Sequence, residues 1–117
     1  MNDAGASILL VEDDAALRLV CRVNLELEGF EVREAAGLDE ARDEVASERP
    51  SLVFLDLHLG VGASDELLDE LRAEGIPVVL VSGTVDMTTY EGRATAVMPK
   101  PFDPAELVTA AHRHALG

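Results

Sequence analysis

Ser51-Leu-Val-Phe-Leu-Asp56-Leu-His58-Leu-Gly60 opens as an unbroken apolar run and sets an aspartate where that run should end. Such a run marks a strand buried on both faces, as in a parallel sheet covered by helices. Beyond Asp56 the chain enters a loop containing Gly60 and Gly62. In an open parallel α/β sheet, ligands bind outside the carboxyl ends of the strands. An aspartate there either caps the next turn or serves as a working carboxylate, and this stretch alone leaves both readings open. The other strand ends decide between them.

Outward from this strand, apolar runs alternate with helical periodicity. Ser7 to Val11 is a second buried strand, stopped abruptly by Glu12-Asp13-Asp14. Ala15 to Glu28 favours helix, with Leu17, Val20, Cys21 and Leu25 on one stripe, Asp14 as its cap and Gly29 as its stop. Phe30 to Ala35 alternates, as an edge strand should, and Leu38, Ala41 and Val45 predict a helix ending before Pro50. Leu67, Leu68 and Leu71 line a third helix that Gly75 terminates, and Ile76 to Val81 is another buried strand ending at Ser82-Gly83. Thr84 to Thr95 is rich in threonine and broken by Gly92, so any helix there is short or frayed. Ala96 to Met98 is a last short strand. Asp103-Pro104-Ala105-Glu106 reads as a capping box opening a helix that buries Leu107, Val108 and Ala111. The alternation calls for one α/β domain, a parallel sheet between helices, with residues 1–6 as a loose tail and no second domain.

Composition narrows the function. The 117 residues carry a net charge of −14, with 48% hydrophobic and 27% charged residues, which describes a soluble globular chain. That charge argues against nucleic acid and anionic lipid as partners. No signal peptide is visible and no apolar run approaches membrane-spanning length, so a cytoplasmic protein is expected. Cys21, the single cysteine, reads as a buried reduced thiol.

Laid on the sheet, the strand-end residues converge on one edge: Glu12 and Asp13, Asp56, Ser82 and Lys100. Clustered carboxylates repel unless a hard cation sits among them, and Mg²⁺ takes a few carboxylates with waters and phosphate oxygens. Lys100 is the one lysine of the chain, the other eight basic residues being arginine, which suggests a site that needs a compact ammonium on a flexible stem. Pro99 and Pro101 fix the backbone on either side of it. Ser82 could donate to an oxyanion beside Gly83. Metal, acceptor carboxylate, hydroxyl and ammonium together make a phosphoryl-transfer site, where positioning and charge neutralisation carry the chemistry.

Ile8-Leu-Leu-Val-Glu-Asp-Asp14, Leu52-Val-Phe-Leu-Asp56, Val81-Ser82-Gly83 and Lys100-Pro-Phe102, in this order, resemble the signature of bacterial response-regulator receiver domains. The resemblance runs from Ser7 to Leu116. It implies a doubly wound, five-stranded parallel sheet of strand order 2-1-3-4-5, the flavodoxin-like receiver fold, over residues 7–117. It implies a Mg²⁺-dependent phosphoacceptor of a two-component phosphorelay, loaded on Asp56 by a histidine kinase or histidine phosphotransfer protein. Such a domain catalyses only its own phosphorylation and dephosphorylation, and signals to a downstream protein target by conformational change. By the same resemblance Asp13, Asp56 and the backbone carbonyl of His58 would ligate Mg²⁺, and Glu12 would assist through water. Ser82 and Lys100 would bind phosphoryl oxygens, Ser82 and Val97 occupy the switch positions, and His58 and Thr84 would tune the rate. A weak or phosphorylation-dependent dimer is compatible with the family.

Three positions depart from the family pattern. Val97 stands where an aromatic switch is usual, and Ser82 to Lys100 is roughly one helical turn shorter than usual. Gly60 replaces the usual proline after the acceptor. The first two bear on the switch and on dimerisation through the fourth helix. They predict that ordering of Thr84 to Thr95 carries the signal. Three other readings compete: a pseudo-receiver binding partners without phosphorylation, a receiver excised from a hybrid histidine kinase, and a haloacid-dehalogenase-type phosphatase. The last would want a second acid where His58 stands, and a cap domain that this length does not accommodate. The character of His-Ala-Leu-Gly117 mildly favours a stand-alone regulator over an excised receiver.

Overall fold

A computed structural model of the chain describes residues 6–57, 61–83, 90 and 92–115. The elements run β1 (Ser7–Val11), α1 (Ala15–Leu27), β2 (Glu31–Ala35), α2 (Leu38–Ser47), β3 (Leu52–Asp56), α3 (Val61–Ala73), β4 (Val78–Ser82), β5 (Ala96–Pro99) and α4 (Pro104–His114). The five strands are parallel and stand in the order β2-β1-β3-β4-β5, as expected. The chain leaves β1 for β2 on one side and reaches β3 on the other. The topological switch point therefore lies between β1 and β3, and it opens a crevice at their carboxyl ends.

The central strands are apolar on both faces because helices cover both. Ile8, Leu10, Leu52, Phe54, Val79 and Val81 point to one layer, packed by Cys21 and Leu25 of α1 and Leu107 and Ala111 of α4. Leu9, Val11, Val53, Leu55, Val78 and Leu80 alternate with them into the other layer, under Ala41 of α2 and Leu67, Leu68 and Leu71 of α3. Each fully buried leucine removes enough apolar surface to contribute about 1.5–3 kcal/mol. β2 is an edge strand and shows the expected mixture of buried and exposed residues.

Three local expectations change. Val20 is 46% exposed and belongs with Leu19, Val23 and Leu27 on an outward apolar stripe of α1, while Leu17, Cys21 and Leu25 face the core. The helix packs against the sheet and α4, so only a narrow stripe meets the core. Gly62 falls in the first turn of α3 instead of the loop, where the backbone N–H groups lack intrahelical partners in any case. Asp103 stands at the N-cap of α4 but makes no side-chain capping bond. The Glu106 N–H that such a cap would take donates to the Asp103 backbone carbonyl at 2.9 Å. Between Ser82 and Ala96 no α-helix occurs among the described residues. The expected short or frayed helix, and the ordering assigned to it, fall mostly on residues 84–89 and 91, outside the described residues. So do residues 1–5 of the expected tail.

No helix of the described residues is long and apolar enough to cross a membrane.

Candidate functional site

The sheet register builds the crevice. Val11 pairs with Leu55 across β1 and β3, so Glu12 and Asp56 are the next residues on adjacent strands. Asp56 pairs with Val81 and Ser82 with Pro99, which carries the same edge across to Lys100. Lys100 is tied to that edge by its backbone, its N–H donating to the Ser82 carbonyl at 2.7 Å. An aspartate, a serine and a lysine separated by up to 44 residues thus stand at successive strand ends.

The three consecutive acids have distinct positions. Asp14 is the N-cap of α1, its Oδ1 accepting from the N–H groups of Ala16 at 3.0 Å and Leu17 at 3.2 Å. This bond commits it to the helix, at a typical contribution of about 1 kcal/mol. Glu12 turns inward, only 8% exposed, with Oε1 accepting from the Asp14 N–H at 3.2 Å and Oε2 from Lys100 Nζ at 3.0 Å. Asp13 is exposed at the mouth of the crevice.

Lys100 Nζ also stands 3.3 Å from Asp56 Oδ2, so one ammonium bridges two carboxylates whose side chains are 10% and 1% exposed. In a site this dry the attraction is far stronger than between surface charges. Burial pushes the Glu12 carboxyl above its usual range and the Asp56 charge adds to this, while Lys100 and the Asp14 N–H pull it down without cancelling the rise. Burial alone would lower the Lys100 ammonium. Its hydrogen bond to Glu12 and the charges of Asp56 and Glu12 outweigh that and hold it above the ordinary lysine value, so it is cationic at neutral pH.

One oxygen each from Glu12, Asp13 and Asp56 lies within 4.8 Å of the other two. Three hard oxygen donors so close, with a single exposed member to admit water, fit a Mg²⁺ ion that keeps several of its waters. A soft metal would call for sulfur or imidazole. Cys21 packs nearby, but burial, with the charge of Glu12, pushes its thiol up to about 11. It is a protonated core residue and no ligand.

Glu12, Asp13, Asp56, Ser82 and Lys100 are therefore brought together as expected. Ser82 is 6% exposed at the end of β4. A Cβ added to the neighbouring Gly83 would stand 3.8 Å from Lys100 Cβ, an ordinary contact, so packing against Lys100 does not itself require glycine there. Val97 lies in β5, half-buried against the α2–α3 layer. The ring in that layer is Tyr90, 3% exposed, whose hydroxyl donates to Asp65 Oδ1 at 2.8 Å. His58 and Thr84, and with them the carbonyl ligand and the rate-tuning positions, lie outside the described residues.

The sequence did not single out Arg18. It reads as a solvated residue off the core stripe of α1, yet its Nη1 donates to the Glu12 backbone carbonyl at 2.7 Å and its Nε to Glu34 Oε1 at 2.8 Å. Its place one turn after the Asp14 cap is the one local hint, and many surface arginines share it.

Comparison with known proteins gives one consistent result. Residues 8–112 match the family model for the response regulator receiver domain. The nitrogen assimilation regulatory protein NtrX of Azorhizobium caulinodans is 35% identical over 114 residues, covering 91% of this chain and 25% of that protein. The DNA-binding response regulator MtrA of Mycobacterium tuberculosis is 37% identical over 113 residues, covering 92% of this chain and 50% of its own length. Among solved structures, the receiver domain of NtrX from Brucella abortus superposes with a TM-score of 0.81 at 32% identity, covering 92% of this chain and 97% of that one. The chain thus spans half or less of the length of these two curated relatives.

Proposed function

Because the chain belongs to the response regulator receiver domain family, we propose that it is the phosphoaccepting signalling domain of a two-component system, with Asp56 as the acceptor. The observation that carries this reading is Lys100 Nζ, placed 3.0 Å from Glu12 and 3.3 Å from Asp56 at the edge of a three-carboxylate cluster. An oxygen of Asp56 forms a bond to phosphorus as the bond from phosphorus to its donor breaks. The donor is a phosphohistidine imidazole of a histidine kinase or phosphotransfer protein, or a small acyl phosphate, and it keeps the electron pair. Hydrolysis later returns the carboxylate and inorganic phosphate.

The residues divide the work. Lys100 neutralises charge on the carboxylate and on the incoming phosphoryl oxygens, as a compact ammonium can. Ser82 donates its hydroxyl to a phosphoryl oxygen once one is present. Asp13 and Asp56 would hold Mg²⁺, with Glu12 acting through water and His58 through its carbonyl; the ion would supply Lewis-acid charge neutralisation. The relatives are named as regulators, which favours a response regulator over a fragment of a hybrid kinase. The complete acidic, hydroxyl and ammonium set speaks against a pseudo-receiver. MtrA is named as DNA-binding, so the sequence-based exclusion of nucleic acid narrows to the acidic surface of these 117 residues. The kinase, the downstream target and a cytoplasmic location belong to the same proposal.

The test is incubation with acetyl phosphate with and without Mg²⁺, read by intact mass. Gain of one phosphoryl group only with the metal is the expected result. No gain in its presence rejects the reading.

Metal binding should also appear as stability. A ligand at a hundred times its Kd stabilises the native state by about 2.7 kcal/mol. For a domain of this size that raises Tm by about 10 °C. Asp13→Asn removes one of three carboxylates without touching the core, and is expected to erase most of that shift. An equal Mg²⁺-induced rise in Asp13→Asn would remove Asp13 from the metal site.

A further inference from the structure

Resting on the reading of the three carboxylates as a metal pocket, we propose that Arg18, braced by Glu34, is a positioning residue that sets Mg²⁺ affinity without touching the ion. Glu12 and its neighbour Asp13 carry two of the three pocket carboxylates, and the Glu12 backbone is held on both sides of its Cα, by β2 on one side and α1 on the other. The Glu12 N–H donates to the Ala35 carbonyl of β2 at 3.0 Å, and the Glu12 carbonyl accepts from Arg18 Nη1 at 2.7 Å. Neither bond uses a side-chain oxygen of the pocket. The first fixes the peptide entering Glu12 and the second, from Arg18, the peptide between Glu12 and Asp13, so together they set where the carboxylates of Glu12 and Asp13 emerge.

Arg18 is itself held. Its Nε donates to Glu34 Oε1 at 2.8 Å, and the other oxygen of Glu34 is taken by Arg22. The Arg18 side chain is only 19% exposed and Glu34 27%, so this is no freely solvated surface pair. Burial raises the Glu34 carboxyl, but the two guanidinium groups more than offset it and hold the carboxyl below its usual value. The side chain of Arg18 also lines a cavity of about 20 Å³ together with Glu12, Cys21 and Asp56. A planar fork can reach a carbonyl with one arm and a carboxylate with its Nε, which a single ammonium cannot reproduce. Groups that orient metal ligands without binding the metal commonly matter about tenfold or more in affinity.

The sign of the effect separates positioning from charge. Arg18 is a cation beside the pocket, so electrostatics alone predicts that Arg18→Met tightens Mg²⁺ binding. Positioning predicts that it weakens.

The experiment is calorimetric titration of the purified chain with Mg²⁺ alone, at fixed neutral pH and ionic strength. Wild type, Arg18→Met, Arg18→Lys, Glu34→Gln and Arg42→Met are compared. Arg42 makes a similar two-armed pair with Glu70 between α2 and α3, and serves as the control for a lost ion pair elsewhere. Arg18→Met and Arg18→Lys are expected to raise the Kd for Mg²⁺ by about tenfold, Glu34→Gln by a smaller factor, and Arg42→Met not at all. Arg18→Lys, which keeps the charge but not the fork, keeps the test decisive if Arg18→Met does not fold. Affinity unchanged or tighter in the Arg18 variants overturns the proposal, and so does equal weakening in Arg42→Met. Failure of the wild type to bind Mg²⁺ would instead overturn the metal pocket on which the inference rests.

Discussion

Asp56→Asn is expected to take up no phosphoryl group from acetyl phosphate under conditions that load the wild type. An amide oxygen is a far weaker nucleophile than a carboxylate, and the substitution removes one carboxylate from the pocket. The loss should be all-or-none because no other acid shares the position. Asp14 is spent on the α1 cap, and Asp13 is exposed with no ion pair to a basic side chain among the described residues. Glu12 shares Lys100, but it is also held by the Asp14 N–H. The fold should survive. Asp56 raises the Glu12 carboxyl, so its neutralisation relieves a repulsion between buried charges, and the variant should be at least as stable as wild type at pH 7. Intact-mass analysis after acetyl phosphate and Mg²⁺, with a urea melt on the same samples, reads both outcomes. A labelled Asn variant would move the acceptor elsewhere. An unlabelled variant that is also unfolded would assign Asp56 a structural role.

Lys100 should divide into two separable losses. Lys100→Met leaves Glu12 and Asp56 facing each other in a dry site with no cation between them. Breaking a buried pair from one side is costly, and with Lys100 still 24% exposed the expected loss is about 3 kcal/mol, or a Tm lower by about 10 °C. The deficit has a defined pH dependence. A carboxyl whose folded value lies above its unfolded one destabilises the fold at higher pH and ceases to do so below the unfolded value. Glu12 is already raised and would rise further without Lys100, so the deficit should shrink as pH falls toward the ordinary carboxylate value of 4.5. Added Mg²⁺ should restore part of it at neutral pH. Lys100→Arg keeps the charge and most of the stability, but its larger planar fork cannot meet a carboxylate and a phosphoryl oxygen as one point charge does. Its spectral response to beryllofluoride and Mg²⁺ should be largely lost. Normal stability in Lys100→Met at pH 7 would show the ion pairs to be inconsequential, and a wild-type beryllofluoride response in Lys100→Arg would remove Lys100 from phosphoryl binding.

Sequence periodicity alone determined that strands and helices alternate, where most of them lie, and which residues end each strand. An apolar run such as Leu52 to Leu55 must be buried on both sides wherever it goes, and the cap at Asp14 and the stop at Gly29 act within a single turn. The single lysine and the strand-end acids were legible for the same reason, as local departures from the surrounding composition. Strand order came through resemblance and not from periodicity, which carries no information about which strand neighbours which. Tertiary structure alone decided the roles within Glu12-Asp13-Asp14, since a run of three acids reads identically at each position until Lys100 arrives from 88 residues away. It also turned Val20 outward and brought Arg18, held by Glu34, onto the Glu12 carbonyl. These are long-range facts. A backbone carbonyl has no side chain to announce that it is held, so the clamp that orients the pocket exists only once β1, β2 and α1 have packed together.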